Sequence, residues 1–122
     1  MAADPLDATV LDRLFKTIES RRGADPSTSY TAKLFAKGRH KIARKVGEEA
    51  IEVIVAAIDE TPNHVAAESA DVLYHLMVLW ADVGIKPRDV WAALAAREGM
   101  SGIAEKLSRN NKNNSQSGKS QG

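Results

Sequence analysis

Two acidic pairs in this sequence have the residue types and spacing to hold a divalent cation. Glu49 and Glu52 form an ExxE pair, preceded by Glu48, and Glu68 and Asp71 form an ExxD pair. On a helix, residues three apart share a face, with an axial step of roughly 4.5 Å. Carboxylate oxygens are hard ligands, so the set suits Mg²⁺, or Mn²⁺, better than zinc or copper. Ions held this way can also meet phosphate oxygens, activate a water and offset charge on a phosphoryl transition state. The chemistry within reach is metal-assisted attack of water at phosphorus.

The elements that must position these acids are two consecutive helices. The spacing predicts a long helix over about 39–59. Thr61 and Pro62 restart the chain, Thr as a cap and Pro in the first helical position. The next helix runs to about 83, with Gly84 as a left-handed stop. The turn centres near Glu60. In an antiparallel pair, residues equidistant from the turn lie level, which sets Glu49 opposite Asp71 and Glu52 opposite Glu68.

From Ala50 to Ile58, Glu52 is the only polar residue. A helix that is apolar nearly all round is expected to be buried, and Glu52 then sits at the edge of an apolar environment where an unpaired charge is costly. Glu68, Asp71 and His75 share a stripe on the second helix. Four acids at one level of a hairpin repel one another, and a cation would neutralise them. The plainer alternative is a solvated acidic face paired with Lys41 and Lys45. His75 reads equally as a partner of a metal-binding carboxylate or as a satisfied core histidine.

Lys41 and Lys45 share a helix face with Glu48, Glu49 and Glu52. Arg21, Arg22, Lys33, Lys37, Arg39, His40 and Arg44 lie close by in sequence. Lysines supply point charges and arginines planar forks for phosphate groups. One surface would thus carry a phosphate-attracting end and a metal-binding end.

The remaining elements are helical or turn-like. Apolar residues at helical spacing from Leu6 to Ile18, with Asp4 and Pro5 as a start, predict a helix over about 5–22. Residues 23–29 form a turn-rich linker. A short helix follows over 30–37, stopped by Gly38. Pro87 opens another that reaches 97 or 98, and a short helix is expected near 103–108. No segment reads as a strand, so the fold expected is all-α, a bundle of four to five helices. Residues 1–108 form the domain and 109–122 a disordered polar tail, because from Asn110 onward no apolar residue offsets the cost of ordering the chain.

Composition narrows the function. The chain has 122 residues, suited to one domain, and is 43% hydrophobic and 27% charged. Its net charge of +1 is carried by the tail, which holds Arg109, Lys112, Lys119 and no acid; the body is near −2. A nucleic-acid binder would show a basic excess on its folded part, so no nucleic-acid partner is expected. The absence of cysteine excludes disulfides, thiolate zinc sites and a cysteine nucleophile. The longest apolar runs, 53–58 and 76–81, have six residues each, against roughly 20 for a membrane span. No secretory signal is visible at the N-terminus, and a cytoplasmic location is expected.

The EExxE motif of Glu48, Glu49 and Glu52, followed by ExxD at Glu68 and Asp71, resembles the signature of the all-α nucleoside-triphosphate pyrophosphatase (MazG-type) superfamily. Residues 29–52 (SYTAKLFAKGRHKIARKVGEEAIE) and 68–76 (ESADVLYHL) narrow the resemblance to phosphoribosyl-ATP pyrophosphohydrolases, over about residues 11–97. The resemblance implies Mg²⁺-dependent hydrolysis of phosphoribosyl-ATP to phosphoribosyl-AMP and pyrophosphate, the second step of histidine biosynthesis, by a homodimer. It implies Glu49, Glu52, Glu68 and Asp71 as metal ligands, and Glu48 as a further ligand or a group orienting water. Glu48 or Glu52 could act as general base. Lys45 becomes a phosphate contact, and Tyr30, Thr31, Lys33 and Arg22 become further substrate contacts. Two alternatives are a housekeeping pyrophosphatase of non-standard nucleoside triphosphates, and a dimerising helical module whose acidic patch binds a basic partner.

Overall fold

Local chemistry sets where each helix starts and stops. The computed structural model describes residues 4–99, 106–107 and 109–113, and among them there is no strand. Helix α1 spans Thr9–Ser20, a later start and an earlier end than the apolar spacing predicts. Asp7 explains the start: its Oδ1 accepts the Thr9 N–H at 2.9 Å and terminates the preceding chain. Helix α2, Tyr30–Lys37, is capped by Ser29, whose Oγ accepts the Ala32 N–H at 3.1 Å. Gly38, at φ +93°, lets the chain break and restart at once as α3, Arg39–Asp59.

Helix α4, Pro62–Val83, begins with Thr61 as cap and Pro62 in the first turn, and it ends on Gly84 in the left-handed conformation. Helix α5 spans Pro87–Ala95 and stops short of 97. The N–H groups of Arg97 and Glu98 reach back only three residues, to the carbonyls of Leu94 and Ala95, so the last turn tightens before Gly99.

Helices α3 and α4 form the central hairpin; α1 packs on α4, and α2 on both α3 and α4. Phe15 and Ile18 of α1, Leu34 of α2, Ile42 and Ala56 of α3, and Met77, Val78 and Trp80 of α4 make the core. Each large aliphatic side chain so buried contributes about 1.5–3 kcal/mol. Residues 1–87 form one compact unit and 88–122 a second.

Two expectations change. The burial expected of α3 from Ala50 to Ile58 holds for one side only. Ala56 is fully buried, but Ile51, Ile54 and Ile58 are 59%, 56% and 75% exposed. The chain's own partners cover one face of α3, and Ile54 instead borders an open apolar groove of about 510 Å³ with Val53, Val72 and Leu73. In the polar tail, residues 109–113 are helical rather than irregular, with every side chain exposed; the backbone pairs locally without burying surface. The rest of the tail lies outside the described residues, as do 103–105 and 108 of the short helix expected there, whose residues 106 and 107 are helical. Among the described residues no helix is long and apolar enough to cross a membrane.

Candidate metal centre

The α3–α4 hairpin brings carboxylates from both helices to one place. Glu49 of α3 and Glu68 and Asp71 of α4 each offer an oxygen, and these oxygens lie within 4.8 Å of one another. Glu68 and Asp71, three apart, share a face of α4, and Glu49 reaches them from across the hairpin. Glu49 and Glu68 are half-buried and Asp71 is exposed. Glu52 is exposed and lies outside this triple, although its charge is felt by Glu68. Partial burial pushes the Glu68 carboxyl above its ordinary range, and the charges of Asp71, Glu52, Glu49 and Glu60 push it the same way.

The residues present fit a hard cation. Three carboxylate oxygens converge, and no nitrogen or sulfur ligand joins them among the described residues. Oxygens about 2.1 Å from a magnesium ion stand at most about 4.2 Å apart, so a small closing of the side chains brings all three into range.

The basic and aromatic candidates divide into two places. Lys45, half-buried, has its Nζ 3.4 Å from the Glu48 carboxylate. The Tyr30 phenol, then Glu48, holds the Lys45 ammonium above its usual range, with Glu49 adding to this. The Tyr30 hydroxyl and His75 Nε2 are hydrogen-bonded at 3.3 Å, and the neighbouring Thr31 is hydrogen-bonded to the Tyr74 hydroxyl. Tyr30 and Thr31 thus meet His75 and Tyr74, about one turn beyond Asp71 on α4, and Lys45 lies one turn before Glu49 on α3. Lys41 is half-buried on the same helix, while Lys33 is exposed on α2, and no contact draws either of them to the acids.

Arg22 lies elsewhere. Its guanidinium stands 5.3 Å from the centre of the Phe35 ring and donates to the Asp82 carbonyl at 3.4 Å. Both residues line a groove of about 470 Å³ beside Asp82. Asp82 is eleven residues beyond Asp71, which places it about 16 Å farther along α4.

His75 is the core histidine of the two readings open to it. It is 5% exposed, and its Nδ1 meets the backbone carbonyl of Asp71 at 2.8 Å rather than a carboxylate. Sequence reasoning passed over Tyr74, whose ring stacks on Tyr30 at 6.3 Å. Its place three residues after Asp71 was the available signal.

Fold and site define the class: an all-α protein with a carboxylate cluster spanning a helical hairpin. Comparison with known proteins makes this more specific. Residues 11–98 match the family model for phosphoribosyl-ATP pyrophosphohydrolase. A phosphoribosyl-ATP pyrophosphatase of Azospirillum brasilense is 61% identical over 109 residues, 89% of this chain and 98% of the relative. One of Rhodospirillum rubrum is 64% identical over 105 residues, 86% and 90% of the two chains. One of Gluconobacter oxydans is 56% identical, covering 82% and 75%. The chain belongs to the phosphoribosyl-ATP pyrophosphohydrolase family.

Proposed function

We propose that this protein hydrolyses phosphoribosyl-ATP to phosphoribosyl-AMP and pyrophosphate, the second step of histidine biosynthesis. Family membership over residues 11–98 supports the substrate. The observation that carries the chemistry is the convergence of Glu49, Glu68 and Asp71 across the hairpin, with Lys45 one turn away. In the overall reaction a water oxygen bonds to the α-phosphorus, the bond from that phosphorus to the α–β bridging oxygen breaks, and pyrophosphate leaves.

In this reading Glu49, Glu68 and Asp71 hold Mg²⁺, or Mn²⁺, and Glu52 extends the acidic set from one turn farther along α3. When bound, the cation supplies charge neutralisation for the triphosphate and lowers the pKa of a coordinated water. Glu48 or Glu52 takes the proton of the attacking water. Lys45 and Lys41 meet the negative charge of the leaving pyrophosphate. Tyr30 and Thr31 border the phosphate end, and Arg22 and Lys33 belong to more distant parts of the substrate.

The protein acts as a homodimer, in which a second copy covers the exposed apolar face of Ile51, Ile54 and Ile58. It works in the cytoplasm and has no nucleic-acid partner. The test is pyrophosphate release from phosphoribosyl-ATP by the purified protein, with and without Mg²⁺. Metal-dependent release is expected. Preferential turnover of non-standard nucleoside triphosphates would instead assign a housekeeping role, and absence of turnover with both would overturn the reading.

A further inference from the structure

The end of α4 farthest from the turn at Glu60 gathers two arginines. Arg39 of α3 places its Nε 2.8 Å from the Asp82 carboxylate and donates to the Asp82 carbonyl at 3.2 Å. Arg22, in the turn after α1, donates to that same carbonyl at 3.4 Å. Carbonyls in the last turn of a helix lack partners within it and carry partial negative charge, which draws both guanidiniums here. The charges do not balance, however. Arg39 matches the Asp82 carboxylate, and a carbonyl carries no full charge. Arg22 therefore keeps its positive charge, with no carboxylate against it among the described residues.

That charge borders a groove. The Arg22 guanidinium stands 5.3 Å from the centre of the Phe35 ring, so an aromatic face helps to hold it, and its remaining N–H groups can donate elsewhere. Arg22, Phe35 and Asp82 share the groove of about 470 Å³ with the linker residues Gly23 and Ala24 and with Ala36 of α2, a size within the roughly 300–1,000 Å³ of small-molecule sites. Helix α4 fixes its place relative to the metal centre. Asp82 follows Asp71 by eleven residues, three turns to within about 20°, so both stand on one side of the helix, about 16 Å apart along its axis. Helix α2 lies between them. Tyr30 at its start is bonded to His75, one turn after Asp71, and Phe35 and Ala36 near its end border the groove with Asp82.

Phosphoribosyl-ATP carries phosphate at both ends. From its α-phosphorus to the phosphorus of the phosphoribosyl group the molecule runs through two riboses and the adenine, about sixteen bonds of about 1.4 Å each, which zigzag to a reach on the order of 15 Å. We infer that the groove takes the phosphoribosyl end of the substrate, with Arg22 bound to its 5′-phosphate while the triphosphate lies at the metal centre. This rests on the function proposed above. Arg22 is then a specificity-determining residue: an arginine fork suits phosphate oxygens, and ordinary nucleoside triphosphates present no phosphate there. Glycine and alanine at 23, 24 and 36 leave room for the sugar.

The test is calorimetric titration of phosphoribosyl-AMP and of AMP, with Mg²⁺ present, into the full wild-type chain and into Arg22→Gln and Ala36→Glu. The two ligands differ only in the phosphoribosyl group. The wild-type protein is expected to bind phosphoribosyl-AMP at least about tenfold more tightly than AMP, the effect of a charge-assisted hydrogen bond. Arg22→Gln is expected to abolish that preference by weakening phosphoribosyl-AMP alone. Ala36 is exposed and glutamate is a good helix former, so Ala36→Glu folds even if Arg22→Gln does not; its carboxylate borders the same groove and is expected to cause the same loss. Equal affinity of the wild type for both ligands, or a preference that survives either substitution, would overturn the inference. So would a loss in Arg22→Gln that falls equally on AMP, which would leave Arg22 only a brace for the end of α4. The titrations need no turnover: a wild-type protein that fails to hydrolyse phosphoribosyl-ATP removes the proposed reaction, while these affinities still decide what the groove binds.

Discussion

Glu49 and Asp71 approach one another across the α3–α4 hairpin, each standing eleven residues from Glu60. Their meeting is a product of helix phase. Each helix delivers its acid to the facing side at the same height, and Glu68 joins from the turn-proximal side of Asp71.

Removing either member should therefore disable the site without dissolving the fold. Glu49→Ala and Asp71→Ala are expected to lower the rate of pyrophosphate release at least about a hundredfold, since a held cation supplies several kcal/mol of transition-state stabilisation. Helix content by circular dichroism is expected to stay the same. Full activity in either variant would remove that residue from the site.

The raised pKa of Glu68 has a consequence for stability in the absence of metal. A carboxyl whose folded pKa lies above its unfolded value favours the folded state when protonated. Its stabilising contribution is present below the unfolded carboxylate range and is lost as pH rises through the raised value. In the presence of a chelator, Glu68→Gln is expected to raise Tm at neutral pH and to leave it nearly unchanged in acid. Mg²⁺ is expected to raise the wild-type Tm at neutral pH and to do so less for Glu68→Gln. Melting curves across pH, with and without metal, check both signs.

The apolar face of α3 predicts an assembly. Sedimentation is expected to give the wild-type protein the mass of a dimer, and Ile54→Lys is expected to shift it towards monomer. A wild-type monomer at micromolar concentration would remove the need for a partner on that face.

Helix α2 sets Tyr30 and Thr31, the proposed substrate contacts, against His75 and Tyr74 of α4, and Ser29 caps it. Ser29→Ala is expected to destabilise the protein by about 1 kcal/mol and to raise KM, because the side chains of the first turn lose their anchor. Urea unfolding measures the first effect and steady-state kinetics the second.

The hairpin was legible in the sequence because its signals are local and periodic. Thr61, Pro62 and Gly84 mark the limits of α4, and the mirrored acids announce its register with α3. Glu52 illustrates where that legibility ends. It stands level with Glu68 and its charge acts on that carboxyl, but spacing does not give the reach of a side chain, and the three oxygens within 4.8 Å of one another are those of Glu49, Glu68 and Asp71. The start of α1 was misplaced because Pro5 looks like a first helical residue, whereas the Asp7 side chain, bonded to Thr9, competes with the helix for the backbone. The exposure of Ile51, Ile54 and Ile58 was invisible to periodicity, which separates apolar from polar faces but does not say what covers them. Tyr30, His75 and Tyr74 come together only through the packing of α2 on α4, which no local pattern encodes.

The turn at Glu60 has a role beyond connecting two helices. It is the origin from which both arms are measured, so the site tolerates changes of length unequally. One residue added to the linker over 23–29 leaves the phase of α3 against α4 untouched. One added within α3 between Glu52 and Asp59 turns Glu49 by about 100° and slides it about 1.5 Å against Asp71. An insertion in the first place is expected to be tolerated at the metal centre and one in the second to disable it, although the two segments are of similar length.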